Sequence, residues 1–83
     1  MNKNFTKLTN EISTLIQDYS ISRKNAPISK TAYQNCEHIM TRINALEDFA
    51  ENYLGYHIEI QKKENGNQYQ PDEILGFNIQ HGL

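Results

Sequence analysis

The spacing of apolar residues changes at Gly55, and this change limits the possible folds more than any other feature of the chain. Before Gly55, apolar side chains recur every three or four residues, as they do along one face of an α-helix. After Gly55 they alternate with polar side chains, which is typical of a half-buried strand. We therefore predict an α+β fold in which an antiparallel two-helix hairpin is followed by a short C-terminal β-hairpin. An all-α small bundle is the alternative.

The first part of the chain has the pattern of two helices. Ile21 lies opposite the apolar stripe of the first helix, and Pro27 follows it, so we predict a helix over 4–20 and a loop over 21–28. Ser29 suits the N-cap of a second helix, with Ile28 and Tyr33 at the positions of a hydrophobic staple. We predict that this helix spans 29–54 and that Gly55 caps it.

The second helix has more apolar surface than the first can cover. Its apolar arc is about 180° wide, and the first helix can hide about half of that. We therefore expect a second contact, made either by the C-terminal segment or by another copy of the chain. Lysines begin the first helix and carboxylates end the second, which favours an antiparallel pair.

The residues after Gly55 predict two strands. The first spans 56–61, a turn follows over 62–72, and the second strand spans 73–80. Two alternatives are open, since 68–70 could return at once as a short strand and Pro71 could begin a short helix. We predict that residues 1–83 form a single domain.

Composition bears on stability, location and source. A chain of 83 residues buries a thin core, and Cys36 is its only cysteine, so we expect homo-oligomerisation rather than a disulfide to aid stability. The sequence shows no secretory leader and no membrane-spanning stretch, so we predict a cytoplasmic protein without membrane contact. Ten Ile and ten Asn with no Val suggest AT-rich codons, and hence a bacterial, plasmid or phage source.

Residues capable of catalysis or metal binding are not arranged in any recognisable motif. Cys36 and His38 point about 200° apart on a helix and cannot share a metal ion. His57, Glu59 and His81 have the composition of a metal triad, but their spacing is unspecific. We therefore predict a protein that is not an enzyme and that binds no metal or cofactor.

Aromatic residues are more numerous than two thin helix seams require, which favours binding to another protein. Glu47 is the one acidic residue inside the apolar arc of the second helix, where Lys3, Lys7 or a backbone donor would satisfy it. We predict a protein-binding module that acts as a stoichiometric inhibitor, adaptor or regulator. The predicted interface residues are Tyr33, Glu47, Phe49, Tyr53, Tyr56, Tyr69 and Phe77.

The loop between the helices offers an alternative function. Basic side chains cluster there beside the free N–H groups at the start of the second helix, which is how anion sites are assembled. The alternative is therefore a binder of nucleic acid, which we do not favour, or of a small phosphorylated ligand. Its predicted residues are Arg23, Lys24, Ser29, Lys30 and Thr31.

Overall fold

The computed structural model describes residues 3–81 and has an α+β fold. Helix α1 spans Lys3–Asn25, and a 3₁₀ turn over Ala26–Ile28 leads to helix α2, Lys30–Phe49. A π-helical turn, Ala50–Leu54, ends α2 and is followed by strands β1, Tyr56–Lys63, and β2, Glu73–His81. The helical hairpin and the C-terminal β-hairpin are thus both present, and the all-α alternative is wrong.

Helix α1 is longer than predicted. It continues to Asn25, so most of the predicted loop 21–28 is helical. Ile21 does lie off the buried stripe, but the helix leaves it exposed to solvent rather than ending there. Ser22, Arg23 and Lys24 are compatible with a helix, and basic residues are favourable near a helix C-terminus. Pro27 then stops the α-helix within the 3₁₀ turn.

Both predicted caps of α2 are confirmed. The Ser29 hydroxyl accepts a hydrogen bond from the Ala32 amide at 3.1 Å, as expected of an N-cap. At the other end Gly55 has φ of +73°, a left-handed conformation that glycine adopts at little cost. The helix therefore begins and ends where its sequence predicts, but its last turn is widened into a π-helix.

The two strands pair in antiparallel fashion. Ile58 lies opposite Ile79 and Ile60 opposite Phe77, and an irregularity follows at Gln61 and Lys62. The second strand is therefore the one predicted over 73–80, and both alternatives for residues 68–72 are wrong. The inward face of the sheet joins the helices in one hydrophobic core.

The C-terminal hairpin supplies the second contact that α2 requires. Ile39, Ile43 and Ala50 of α2 are buried in the same cluster as Ile58 and Ile74 of the sheet. An isolated two-stranded sheet is only marginally stable, and packing its apolar face against α2 stabilises it. The sheet does not cover every apolar side chain. Phe5, Phe49 and Tyr53 are exposed where α1 begins and α2 ends, Ile28 and Tyr69 near the α1–α2 turn, and Ile21 and Leu75 on α1 and β2.

Candidate protein-binding surfaces

Large apolar side chains are exposed at opposite ends of the helical hairpin. We call the end that contains the α1–α2 turn the loop-end surface and define it by Pro27, Ile28, Tyr33 and Tyr69. We call the end that contains the last turn of α2 the helix-end surface. It is defined by Phe5, Phe49 and Tyr53.

The loop-end surface presents two side chains to solvent beside a shallow groove. Ile28 is 88% exposed and Tyr69 is 63% exposed, and both line a groove of about 460 Å³ with Pro27 and half-buried Tyr33. The predicted staple between Ile28 and Tyr33 therefore does not bury the isoleucine. Full burial of an isoleucine side chain stabilises a fold by roughly 1.5–3 kcal/mol, and an isoleucine exposed to this degree does not contribute that free energy.

Side-chain hydrogen bonds brace the loop that carries Tyr69. The Asn65 amide group donates to the Gln70 carbonyl at 3.1 Å and to Gln70 Oε1 at 3.2 Å, while Asn65 Oδ1 accepts from the Asn67 amide at 3.1 Å. Asn67 Oδ1 in turn accepts from the Tyr69 amide at 2.9 Å. Asn and Asp side chains commonly order turns in this way. The loop between the strands thus holds Tyr69 in one place.

Three further hydrogen bonds tie this loop to α1. Arg23 Nε donates to the Pro71 carbonyl at 2.9 Å, and Gln70 Nε2 donates to the Arg23 carbonyl at 3.0 Å. The Tyr19 hydroxyl donates to the Asp72 carbonyl at 2.6 Å. Burial raises the pKa of Tyr19 to about 12, so the hydroxyl keeps its proton at neutral pH. Ile28 and Tyr69, which are distant in sequence, are therefore fixed relative to each other.

The loop-end surface is rimmed by positive charge. Between Asp18 and Glu37 the chain contains three basic residues and no acidic one. Lys24 and Lys30 are exposed, whereas Arg23 is half-buried and bonded to Pro71.

The predicted anion-site residues are near one another in sequence but are partly engaged elsewhere. The Ser29 hydroxyl caps α2 and Arg23 braces the loop, while Lys24, Lys30 and Thr31 face solvent. Two exposed lysines remain as anion contacts, and anion binding here stays a prediction.

The helix-end surface contains an aromatic pair, in which Phe49 ends α2 and Tyr53 lies in the π-helical turn. The rings of Phe49 and Tyr53 have centroids 5.4 Å apart, and the side chains are 49% and 78% exposed. Phe5, at its margin, packs edge-on against Tyr56 at 5.6 Å. π-Helical turns are rare and are frequent at functional sites.

A groove adjoins this aromatic pair. It has a volume of about 320 Å³ and runs between α1 and the end of α2. Its lining residues are Asn4, Lys7, Leu8, Glu11, Leu46, Phe49 and Leu54.

Glu47 is half-buried on α2, but its charged neighbours are not those predicted. Burial raises the pKa of its carboxyl group above the ordinary value, and the charges of Lys62 and His57 on β1 partly oppose that shift. The prediction was Lys3, Lys7 or a backbone donor, and the basic side chains that act on this carboxylate are instead Lys62 and His57 on β1. Its position is explained by the fold and does not require a binding partner.

Three other predicted interface residues are wholly or partly covered. Tyr56 is 3% exposed, so its predicted exposure is wrong: the first position of β1 points into the core. Phe77 and Tyr33 are half-buried, and Phe77 packs against the hydrophobic core. The staple pattern gave no sign that Ile28 is exposed, because the isoleucine of a helix staple is normally covered by its own helix.

The remaining reactive side chains form no site in the part of the chain that the structure describes. Cys36 is buried, and burial raises the pKa of its thiol. Within residues 3–81 no three His, Cys, Asp or Glu side chains are placed to hold a metal ion. Among the same residues, no helix has the length and hydrophobicity that crossing a membrane requires.

Comparison with known proteins adds no functional information. No protein-family model matches the chain, and neither the curated proteins nor the solved structures include a significant match. Inferences about function therefore depend on the two surfaces described above.

Proposed function

We propose that this chain is a protein-binding module that docks onto a larger protein through its loop-end surface. One observation carries the proposal: Ile28 and Tyr69 are exposed side by side on two turns that hydrogen bonds hold together. Exposed aromatic and aliphatic side chains are frequent anchors of protein interfaces. Fixing them before binding reduces the entropy lost on association.

The charge at this end supports a partner with an acidic surface. Lys30 lines the groove and Lys24 is exposed on the last turn of α1, and no acidic residue lies between Asp18 and Glu37 in the sequence. Complementary charge increases association rate and specificity more than affinity. A small module that docks in this way acts by occupying a surface of its partner. We accordingly propose a role as a stoichiometric inhibitor, adaptor or regulator.

Nucleic acid is the less favoured partner for this surface. Phosphate contacts dominate nucleic-acid affinity, and the bond from Arg23 to Pro71 leaves two exposed lysines at this end. Phosphate binding also gives no role to an isoleucine that is 88% exposed. An acidic protein surface with an apolar side chain would use both features.

Photo-crosslinking tests the proposal. A photoreactive phenylalanine analogue replaces Tyr69 in one version of the chain and exposed Gln17, on α1, in another. We expect a discrete crosslinked product from position 69 in the source cell and none from position 17. Because docking buries Ile28, Ile28→Ser should reduce the product at least about 10-fold. The matched control is Ile21→Ser, which removes an exposed isoleucine outside the groove.

Two results would contradict docking at the loop end. One is the same set of products from positions 69 and 17. The other is equal loss of product in Ile28→Ser and Ile21→Ser. A crosslink to nucleic acid in place of protein would favour the alternative function.

A further inference from the structure

We propose that the helix-end surface is the interface of a two-fold symmetric dimer of this chain. The proposal is independent of the loop-end surface, which lies at the other end of the molecule. It concerns Phe49 and Tyr53, the groove beside them, and the charges on either side.

The aromatic pair supplies the apolar centre of the interface. Tyr53 is 78% exposed, and the groove beside Phe49, about 320 Å³ in volume, is large enough to accept one aromatic ring. In a two-fold arrangement the Tyr53 ring of each copy enters the groove of the other, next to Leu46 and Leu54. Both rings are then removed from water, which is the arrangement that makes tyrosine a frequent hot spot.

Opposite charges flank this centre. Lys7 lines the groove on the α1 side of Phe49, and Glu11 lines it one turn further along α1. Asp48 is exposed and precedes Phe49 on α2, and at about 100° per residue it lies on the side of the ring away from Leu46. A two-fold axis that lies in the interface and runs parallel to α2 through the aromatic pair exchanges these sides. It therefore brings Lys7 of each copy towards Asp48 of the other.

Such self-complementarity is what a two-fold interface requires, because the same patch meets itself. The loop-end surface shows no such pairing within the α1–α2 turn, because Lys24 and Lys30 have no acidic counterpart between Asp18 and Glu37. The acidic residues Glu64 and Asp72 lie on the neighbouring loop that carries Tyr69, where Asp72 accepts a hydrogen bond from the Asn65 amide. We therefore assign the second copy to the helix end.

The area available predicts a reversible dimer. A fully buried aromatic side chain hides about 150–250 Å², so covering the exposed parts of Phe49 and Tyr53 in both copies removes roughly 500 Å². The matching groove walls bring the total to about 1,000 Å², near the lower limit for specific interfaces. We therefore expect dissociation at micromolar rather than nanomolar concentrations.

Sedimentation velocity and light scattering on the full chain test the dimer. We expect the mass to rise from the monomer value of 9.7 kDa to twice that value and no further as concentration increases. Tyr53→Ala should raise the dissociation constant at least about 30-fold. Tyr69→Ala is the matched control, an exposed tyrosine at the other end, and should leave dimerisation unchanged. Circular dichroism confirms that each variant is folded.

Charge reversal provides a second and more specific test. K7E and D48K should each weaken self-association, because each places like charges opposite one another across the two-fold axis. A mixture of the two variants should form a heterodimer, since both contacts then pair opposite charges. Monomers at every concentration, growth beyond a dimer, an unchanged Tyr53→Ala or a mixture that stays monomeric would overturn the proposal. None of these results bears on crosslinking from position 69.

Discussion

Replacing Asn65 with alanine tests whether the loop between the strands is rigid. The Asn65 side chain makes three hydrogen bonds, at 3.1, 3.2 and 3.1 Å, which join Asn67 to Gln70 across the loop. Its backbone amide donates to Asp72 Oδ1 and is not removed by the substitution. The variant therefore isolates the side-chain brace.

The expected loss of stability follows from these bonds. A hydrogen bond contributes a net of about 0.5–1.5 kcal/mol, and the lower value applies in this half-exposed loop because water replaces part of the loss. Three bonds then amount to roughly 1.5 kcal/mol. For a domain of this size, that corresponds to a fall in Tm of about 6–12 °C. Asn67→Ala removes one side-chain bond, to the Tyr69 amide, and should cost about 0.5 kcal/mol.

Urea unfolding measures the free-energy change, and amide hydrogen exchange locates it. In Asn65→Ala we expect faster exchange at Asn67, whose amide loses its acceptor, with little change in the middle of α2. Asn78→Ala, at an exposed position on β2, is the control and should be neutral. The Asn65 side chain does not brace the loop if Asn65→Ala changes the free energy of unfolding by less than about 0.5 kcal/mol and leaves exchange at Asn67 unaltered.

Three further outcomes follow from the structure. The raised pKa of Glu47 means that the folded state holds its proton more tightly than the unfolded state, so this group costs stability as pH rises above the ordinary glutamate pKa. Thermal melts should therefore show that Glu47→Gln stabilises the protein at pH about 7 but not at pH about 4. Gly55→Ala forces alanine into φ of +73° and should cost about 1–2 kcal/mol in urea unfolding, whereas Gly66→Ala, with nothing within 4 Å of an added Cβ, should be nearly neutral. Because Cys36 is buried and its pKa is raised, a thiol-specific reagent should react at least about 100-fold more slowly with the native than with the urea-unfolded chain; equal rates would show that the thiol is accessible.

Much of the fold was predictable because helices and strands bury one face at different spacings. The change of period at Gly55 separates the helices from the strands, and Ser29 and Gly55 fix both ends of α2 through local backbone chemistry. The end of α1 was not predictable in this way. Ile21 leaves the buried stripe, but helix formation continues to Asn25 because contacts with the loop after β1 support the last turns.

The candidate surfaces were only partly predictable. Phe49, Tyr53 and Tyr69 were expected at an interface and are exposed, whereas Tyr56 is buried. Tyr56 shares the inward face of β1 with Ile58, as the alternation along the strand requires, and its ring packs edge-on against Phe5. Ile28 differs from Tyr56 in the opposite direction, because its pattern predicts cover and the structure leaves it exposed. An isoleucine next to a helix cap is commonly covered by its own helix.

The sequence by itself determined the elements of this protein, their order and the antiparallel helix pair, because periodicity, caps and turn residues act over a few neighbouring positions. Only the tertiary structure decided which apolar side chains remain in water. It brought Ile28 beside Tyr69 through bonds between Arg23, Gln70 and Pro71, and it turned Glu47 towards Lys62. These contacts join residues distant in the chain. They follow from how the sheet packs on the helices, which no local pattern specifies.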